Sequence, residues 1–387
     1  LKFKARWSFL KGWIRRFYEE SLPDMVVPGK VFTLYGPRRS GKTSLVKSYL
    51  DNRGGRIYSG TGDDLPLQEL FSAQSVQRMR GAFSGYDLIF IDEAQRIPEI
   101  GMGLKIIVDN IPELSVIATG SSFFELSNRL GEPLTGRQKT ALLYPLSVME
   151  LMRLQGGMEV IETLEEMLVF GSYPEVLTAG SSDAKRDYLA TLRDTYLYRD
   201  ILVLENLRNS DKLMDLLRLV AFQIGRDVSL SELGLNLGLS VQTVEKYLDL
   251  LEKSFVLKRV RGFSRNLRKE ITKSSRYYFL DNGVRNAVIS NFNPLKMRND
   301  VGMLWENFLF AERMKTRMYR GIQANQWFWR TYDKKEIDLI EEREGKLFGY
   351  EFKWGGKHPN APKGWLETYP EAEFLVVNRD NFLQFLE

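Results

Sequence analysis

The sequence predicts an α/β protein: a parallel sheet near the N-terminus, a helical connector, a winged helix-turn-helix, and a second α/β module at the C-terminus. Three observations carry this expectation. A glycine-framed octapeptide, Gly36-Pro37-Arg38-Arg39-Ser40-Gly41-Lys42-Thr43, joins the apolar run 31–35 to the helix-like run 44–50. A second apolar run, 88–91, ends in Asp92 and Glu93. Strand-like runs around 255–260 and 277–280 then bracket a strongly basic segment.

The octapeptide reads as a phosphate-binding loop. Gly36 and Gly41 let the backbone fold into a nest whose N–H groups, with Pro37, Arg38, Arg39 and Ser40 between them, face phosphate oxygens. The helix opening at Ser44 adds its positive dipole end. Lys42 can reach the terminal phosphates, and the Thr43 hydroxyl can ligate Mg²⁺. The magnesium needs a second holder, and Asp92 ends an unbroken apolar run of the kind buried on both faces of a parallel sheet. Glu93 is then the expected general base. A third strand, 114–119, leads into Gly120, Ser121 and Ser122; the two serines are expected as γ-phosphate sensors, though they also suit an ordinary turn. Arg137 is a candidate arginine finger directed at a neighbouring subunit's nucleotide. These elements place a nucleotide-hydrolysing core at 26–148.

A chain of 387 residues is too long for one core and predicts two or three domains. No apolar stretch approaches the roughly twenty residues that a bilayer requires, so no stable membrane insertion is expected. Residues 1–25 read as an amphipathic helix packed on the nucleotide-binding core, because Lys4, Arg6, Lys11, Arg15 and Arg16 interrupt any signal-peptide core. The absence of cysteine and the single histidine, His358, exclude disulfides, cysteine nucleophiles and histidine metal clusters, and favour a reducing cytoplasm. A net charge of +5 is mild, so its distribution matters more than its sum.

Residues 149–215 show leucine, methionine and charge at helical spacing and predict a lid or connector. A winged helix follows at 216–292. In its third helix Val244, Tyr247, Leu248 and Leu251 form the buried stripe, which leaves Gln242, Thr243 and Lys246 outward for nucleic acid. Lys258, Arg259, Arg261, Arg265, Arg268, Lys269, Lys273 and Arg276 stand against one acid, Glu270, in the same stretch. Such an excess predicts contacts with a DNA backbone, the alternative being a solvated hairpin used for protein docking.

The final module, 293–387, places Glu306 on a helix-like run and Asp338, Glu351 and Lys353 on strand-like ones. Residues two apart on a strand share a face, so Glu351 and Lys353 project together. With Asp338 and the Phe352 carbonyl they are expected to hold Mg²⁺ for phosphodiester hydrolysis, with Glu306 as an outer carboxylate; a plain Glu351–Lys353 salt bridge is the simpler alternative.

Taken together, Gly36 to Thr43, Ile-Asp-Glu-Ala-Gln (91–95), Gly-Ser-Ser (120–122), Gly-Arg (136–137), Tyr-Phe-Leu-Asp-Asn-Gly (278–283) and Trp-Glu-Asn (305–307) resemble the AAA+ ATPases of archaea and bacteria that carry a winged helix and a domain similar to restriction endonucleases. The resemblance covers nearly the whole chain. It implies an ASCE-type core that uses ATP and Mg²⁺, a homo-oligomer such as a hexameric ring, and a nuclease-fold module. Adenine is implied by the family, and no Asn-Lys-x-Asp string for reading guanine is present. The function expected is ATP-driven remodelling or translocation of DNA. A nucleotide-dependent switch acting on a protein partner, with an inactive nuclease fold, and an ATP-gated endonuclease are the alternatives.

Overall fold

The computed structural model describes residues 14–121, 134–200, 210–263, 275–331, 335–356 and 358–387. They form two compact units, Ile14–Pro145 with Lys253–Phe255, and Leu146–Glu252 with Val256–Glu387.

The first unit contains α1 (Leu22–Met25), β1 (Val31–Tyr35), α2 (Lys42–Asn52), β2 (Ile57–Thr61), α3 (Leu65–Ser72), α4 (Val76–Phe83), β3 (Leu88–Asp92), α5 (Ile100–Asn110), β4 (Ser115–Gly120) and β5 (Gln138–Leu142). Its five strands run parallel in the order β2-β3-β4-β1-β5. The central strands β1 and β4 are buried at every position, and β3 is buried as far as Ile91. Their near-continuous apolar character follows, because helices must cover both faces of a parallel sheet. Since all strands point the same way, the ends of β1, β3 and β4 reach one edge, with Tyr35 beside Gly120 and Ile91 beside Ala118. On one face α5 packs against α3 and α4, so closely that a Cβ on Gly103 would fall 2.4 Å from a Phe71 ring carbon.

The N-terminal amphipathic helix is not seen over 14–21, which are coil and turn; only α1 is helical, and 1–13 lie outside the described residues. Burial explains the difference. Ile14, Arg16 and Tyr18 are all buried, and residues at i and i+2 cannot share a helix face. This segment does pack on the core, as expected.

The second unit begins with helices α6 (Val148–Gln155), α7 (Gly157–Phe170), α8 (Pro174–Thr178), α9 (Ser182–Leu192), α10 (Ser210–Phe222), α11 (Leu230–Leu237) and α12 (Val241–Lys253). Then come β6 (Leu257–Gly262), β7 (Ser275–Phe279), α13 (Asn282–Val288), α14 (Val301–Arg320), β8 (Asn325–Arg330), β9 (Glu336–Arg343), β10 (Lys346–Phe352), α15 (Lys363–Thr368), β11 (Glu373–Val377) and α16 (Phe382–Leu386). Ser229 caps α11 through its hydroxyl, and Gly238 turns the chain in a left-handed conformation toward α12. One mixed sheet, β11-β10-β9-β8-β6-β7, spans the unit. The segments 149–215, 216–292 and 293–387, expected as separate modules, therefore share one compact body. The cause is backbone pairing: β6 runs parallel to β8, with Arg261 beside Trp327 and Gly262 beside Phe328. No helix among the described residues is long and apolar enough to cross a membrane.

Two sequence motifs explain each other here. The Asn307 amide accepts from Phe279 N at 2.7 Å and donates to Phe279 O at 2.9 Å and to Asn282 Oδ1 at 2.7 Å. Asp281 caps α13 by accepting from Val284 N, and also accepts from Ser172 N. At Gly283 a Cβ would lie 2.0 Å from Phe170 O, so only glycine fits.

The sheet is fastened to α14 by a buried ion pair. Glu341, fully buried, accepts from Arg313 at 2.9 and 3.1 Å, and Arg313 also donates to Phe385 O at 2.9 Å. Arg317 and Arg343 stand within 3.7 Å of the same carboxylate. Because removing one member of a buried pair strands the other's charge, Glu341→Ala should cost about 3–5 kcal/mol. Urea unfolding followed by tryptophan fluorescence measures this, since Trp329 and Trp365 lie in the adjoining core with Phe263, Ile337, Ile340 and Leu347.

Candidate functional site

The phosphate loop leaves β1 at Gly36, where any Cβ would stand 2.0 Å from Leu143 O. Leu143 N in turn donates to Tyr35 O at 2.8 Å, which pins the start of the loop to the end of β5. Arg39 (φ 62°) and Gly41 (φ 98°) turn the backbone back on itself before α2 begins. Pro37 and Ser40 are buried, Arg38 is half-buried, and Arg39 and Ser44 are exposed. Lys42 is buried and its ammonium donates to Gly36 O at 2.9 Å and Pro37 O at 3.0 Å. Burial pushes its pKa down to about 8, against the pull of the Glu93 and Asp92 carboxylates; Arg38 adds to the lowering.

Asp92 is held at both oxygens. Thr43 Oγ1 donates to Asp92 Oδ2 at 2.8 Å, and Thr119 Oγ1 donates to Asp92 Oδ1. Three elements thereby meet at one carboxylate: the start of α2, the end of β3, and β4 lying between β3 and β1. The Thr43 hydroxyl beside the Asp92 carboxylate is a hard-oxygen donor set that suits Mg²⁺, and the glycine-framed loop with its lysine suits a triphosphate. Both groups fit the residues present.

Glu93 adopts a left-handed conformation (φ 49°, ψ 44°), and its N–H donates to Thr119 Oγ1 at 3.2 Å. Its carboxylate accepts from Ser121 Oγ at 3.0 Å and from Gln95 Nε2, which also reaches Ser121 Oγ at 3.1 Å. The expected sensor Ser121 thus touches the expected base. Ser122 lies outside the described residues. Arg137 stands at the opposite end of the sheet, its carbonyl accepting from Val31 N at 2.9 Å. Five residues of β1, about 13 Å at 3.3 Å per step, separate it from its own loop, and its guanidinium pairs with Asp109 at 2.5 Å.

Three contributors were not singled out from the sequence. Thr119 was visible only as the last hydroxyl of a strand, and Gln95 as the residue two beyond Glu93. Arg16, buried, donates to Ser40 O inside the loop and to Tyr144 O at 2.7 Å. Nothing local in the sequence distinguishes it from Arg15.

In the second unit Gln242 and Lys246 are exposed on α12, Thr243 is half-buried and donates its N–H to Ser240 Oγ at 3.1 Å, and Arg261 is exposed on β6. Arg265, Arg268, Lys269 and Lys273 lie outside the described residues. The basic excess read from 258–276 is partly cancelled in space. Lys258 pairs with Glu252, Arg259 lies 3.5 Å from Glu245, and the Arg276 side chain is only 2% exposed.

Glu306 (α14), Asp338 (β9), Glu351 (β10) and Lys353 do converge, and Tyr278, Glu336, Asp227 and Arg276 join them. Tyr278 OH donates to Glu306 Oε1 at 2.7 Å, Phe352 N donates to Asp338 Oδ2 at 2.7 Å, and Lys353 pairs with Glu351 Oε1. Glu351 Oε2 is buried without a hydrogen bond. Burial pushes the carboxyl pKa of Asp338 upward, reinforced by Glu351; burial also raises that of Glu306, reinforced by Asp338. Among the described residues no group of three or more acids, histidines or cysteines is arranged to hold a metal. One oxygen of each acid is committed, to an amide, a phenol or an ammonium, and an arginine stands among them.

The depressed Lys42 pKa sets a pH dependence for nucleotide affinity. Because the charged ammonium is the form that attracts phosphate, the dissociation constant for ATP should rise as pH climbs through about 8, approaching tenfold per unit. Lys42→Arg, whose charge persists, should show no such slope. Titrations at fixed ionic strength distinguish the two.

Residues 28–152 match a family model described as an AAA domain. Residues 161–295 and 301–386 match two further models, each described as a domain of unknown function (DUF8612 and DUF4143). An uncharacterized protein of Mycobacterium tuberculosis is 26% identical over 326 residues, covering 84% of this chain and 70% of its own. One from Methanocaldococcus jannaschii is 22% identical over 344 residues, covering 83% and 74%. Among solved structures, the Aeropyrum pernix ORC1 protein in complex with DNA is 15% identical, covering 74% of this chain and 96% of its own at a TM-score of 0.34. A signal transduction ATPase with numerous domains from Pyrococcus horikoshii is 13% identical, covering 81% and 46% at 0.30. The family match and the site geometry coincide: residues 28–152, which match the AAA domain model, hold the glycine-framed loop, Asp92 and Glu93.

Proposed function

We propose that this chain binds ATP with Mg²⁺, hydrolyses it, and applies that hydrolysis to DNA as a homo-oligomer. The observation that carries the first part is the chain of contacts Thr43–Asp92–Thr119–Glu93 at the sheet edge where the phosphate loop ends. In this reading the loop N–H groups and Lys42 hold the phosphates, and Thr43 with Asp92 holds the cation. Magnesium, when bound, withdraws charge from the phosphate oxygens. Glu93 takes the proton of the attacking water, and Ser121 and Gln95 set where its carboxylate points. Arg137, at the far end of the sheet from its own loop and paired with Asp109, is in this reading released from that pair to reach a neighbour's nucleotide, which is why an oligomer is part of the proposal. DNA is supported by the exposed Gln242, Lys246 and Arg261. A chain without cysteine suits the cytoplasm.

A second reading, a nucleotide-dependent switch that acts on a protein partner and whose C-terminal fold does not cut, is supported by Arg276 standing among the acids of that fold. ATPase rates with and without duplex, single-stranded and branched DNA separate the two; absence of both stimulation and salt-sensitive binding would remove DNA from the proposal.

Lys42→Ala should abolish ATP binding. Glu93→Gln should keep binding while lowering turnover by about 10²–10⁴-fold, the usual worth of a general base. If Arg137 acts between subunits, Arg137→Ala chains should be inactive alone. Mixed with Lys42→Ala chains, they should recover part of the activity, measured as phosphate release across mixing ratios.

A further inference from the structure

Arg276 stands among the acids of the second unit. Its guanidinium lies 2.6 Å from Glu336 Oε2, 3.1 Å from Asp227 Oδ1, 3.8 Å from Glu306 Oε1 and 4.0 Å from Asp338 Oδ1. One face covers the Phe328 ring at 4.3 Å. The four acids come from the loop before α11, from α14 and from β9, whereas Arg276 comes from β7. A single side chain therefore reaches three separate elements.

We propose that Arg276 is the resident cation of this centre, taking the place of a divalent metal and locking the hairpin β6–β7 to α14 and β9. Asp227, Glu306, Glu336, Asp338 and Glu351 are partnered by Arg276, by Arg330 at 2.7 Å from Asp227, and by Lys353. Arginine keeps its charge at any pH a protein survives, so the centre cannot lose this cation by titration. A magnesium or manganese ion must approach its oxygens to about 2.0–2.1 Å. Bridging Glu306 and Asp338 at that range would set a divalent ion against the guanidinium in a dry pocket, where like charges repel most strongly. The carboxylates serve one cation or the other, and the chain supplies its own.

This inference is independent of ATP hydrolysis and of DNA binding. Mn²⁺ binding to the full chain, followed by electron paramagnetic resonance without nucleotide, tests it. Wild type should bind no Mn²⁺ whose signal depends on Asp338, so Asp338→Asn should leave its titration unchanged. Arg276→Gln should gain at least about a tenfold tighter Mn²⁺ site, and adding Asp338→Asn to it should remove that site. Arg276→Lys, which keeps a positive charge in place, should resemble wild type. An Asp338-dependent Mn²⁺ site in the wild-type protein, lost in Asp338→Asn, would overturn the proposal whether or not the Arg276 variants fold. So would an Arg276→Gln protein that folds and gains no site, or an Arg276→Lys protein that gains one equal to it.

Discussion

The Asp92 carboxylate is the joint on which the ATPase unit depends. A carboxylate at a strand end, shielded by a sheet and helices, is stable there only if its oxygens are satisfied, and both are, by hydroxyls from two other elements. Thr43 ties it to the first turn after the phosphate loop, and Thr119 ties it to the intervening strand while also receiving the Glu93 N–H. Position is thus shared: the loop, Asp92 and the expected base Glu93 are set relative to one another by one side-chain relay. The parallel sheet makes the relay available, because only strands of one direction bring these ends to a common edge.

What the sequence revealed, and what it hid, divides along the same line. Gly36 to Thr43 and Asp92-Glu93 were legible because their chemistry depends on local spacing, and the apolar strands confirmed their context. Thr119 and Arg16 act across 27 and 24 residues, through contacts that no local pattern encodes, and Gln95, though two residues from Glu93, also reaches across 26 residues to Ser121. Arg276 shows the opposite hazard. In its own segment it is one of several basic residues, so linear charge suggested a phosphate-binding face. Its partners are carried by 227, 306, 336 and 338, and only the folded sheet shows that the charge is already spent. The N-terminal segment was misread for a related reason. Its mixture of basic and aromatic residues suits an amphipathic helix, yet over 14–21 the burial of Ile14, Arg16 and Tyr18 goes with coil that runs into a turn.

The C-terminal unit relies on buried charge to a degree that its composition does not announce. Arg313 with Glu341, and Arg276 with its acids, lie where apolar packing would cost less desolvation. Each arrangement joins elements distant in sequence and has strict geometry, so an alternative register of β9 would leave charges stranded. Whatever stability is lost, strand pairing is specified more narrowly than leucines and valines could specify it. That narrowness bears on the shared sheet, whose β6–β8 junction is only two residue pairs long.

The Asn307 amide has a consequence for how copies of this chain can associate. Strand β7 lies at one end of the six-stranded sheet, and an end strand with unsatisfied backbone groups invites another chain to add itself alongside. Here the two ends of that border are already sealed, by Asn307 at Phe279 and by Val228 N on Ser275 O at 2.9 Å. A visiting strand would have to evict both. An asparagine within a helix thereby guards this edge against the addition of a further strand.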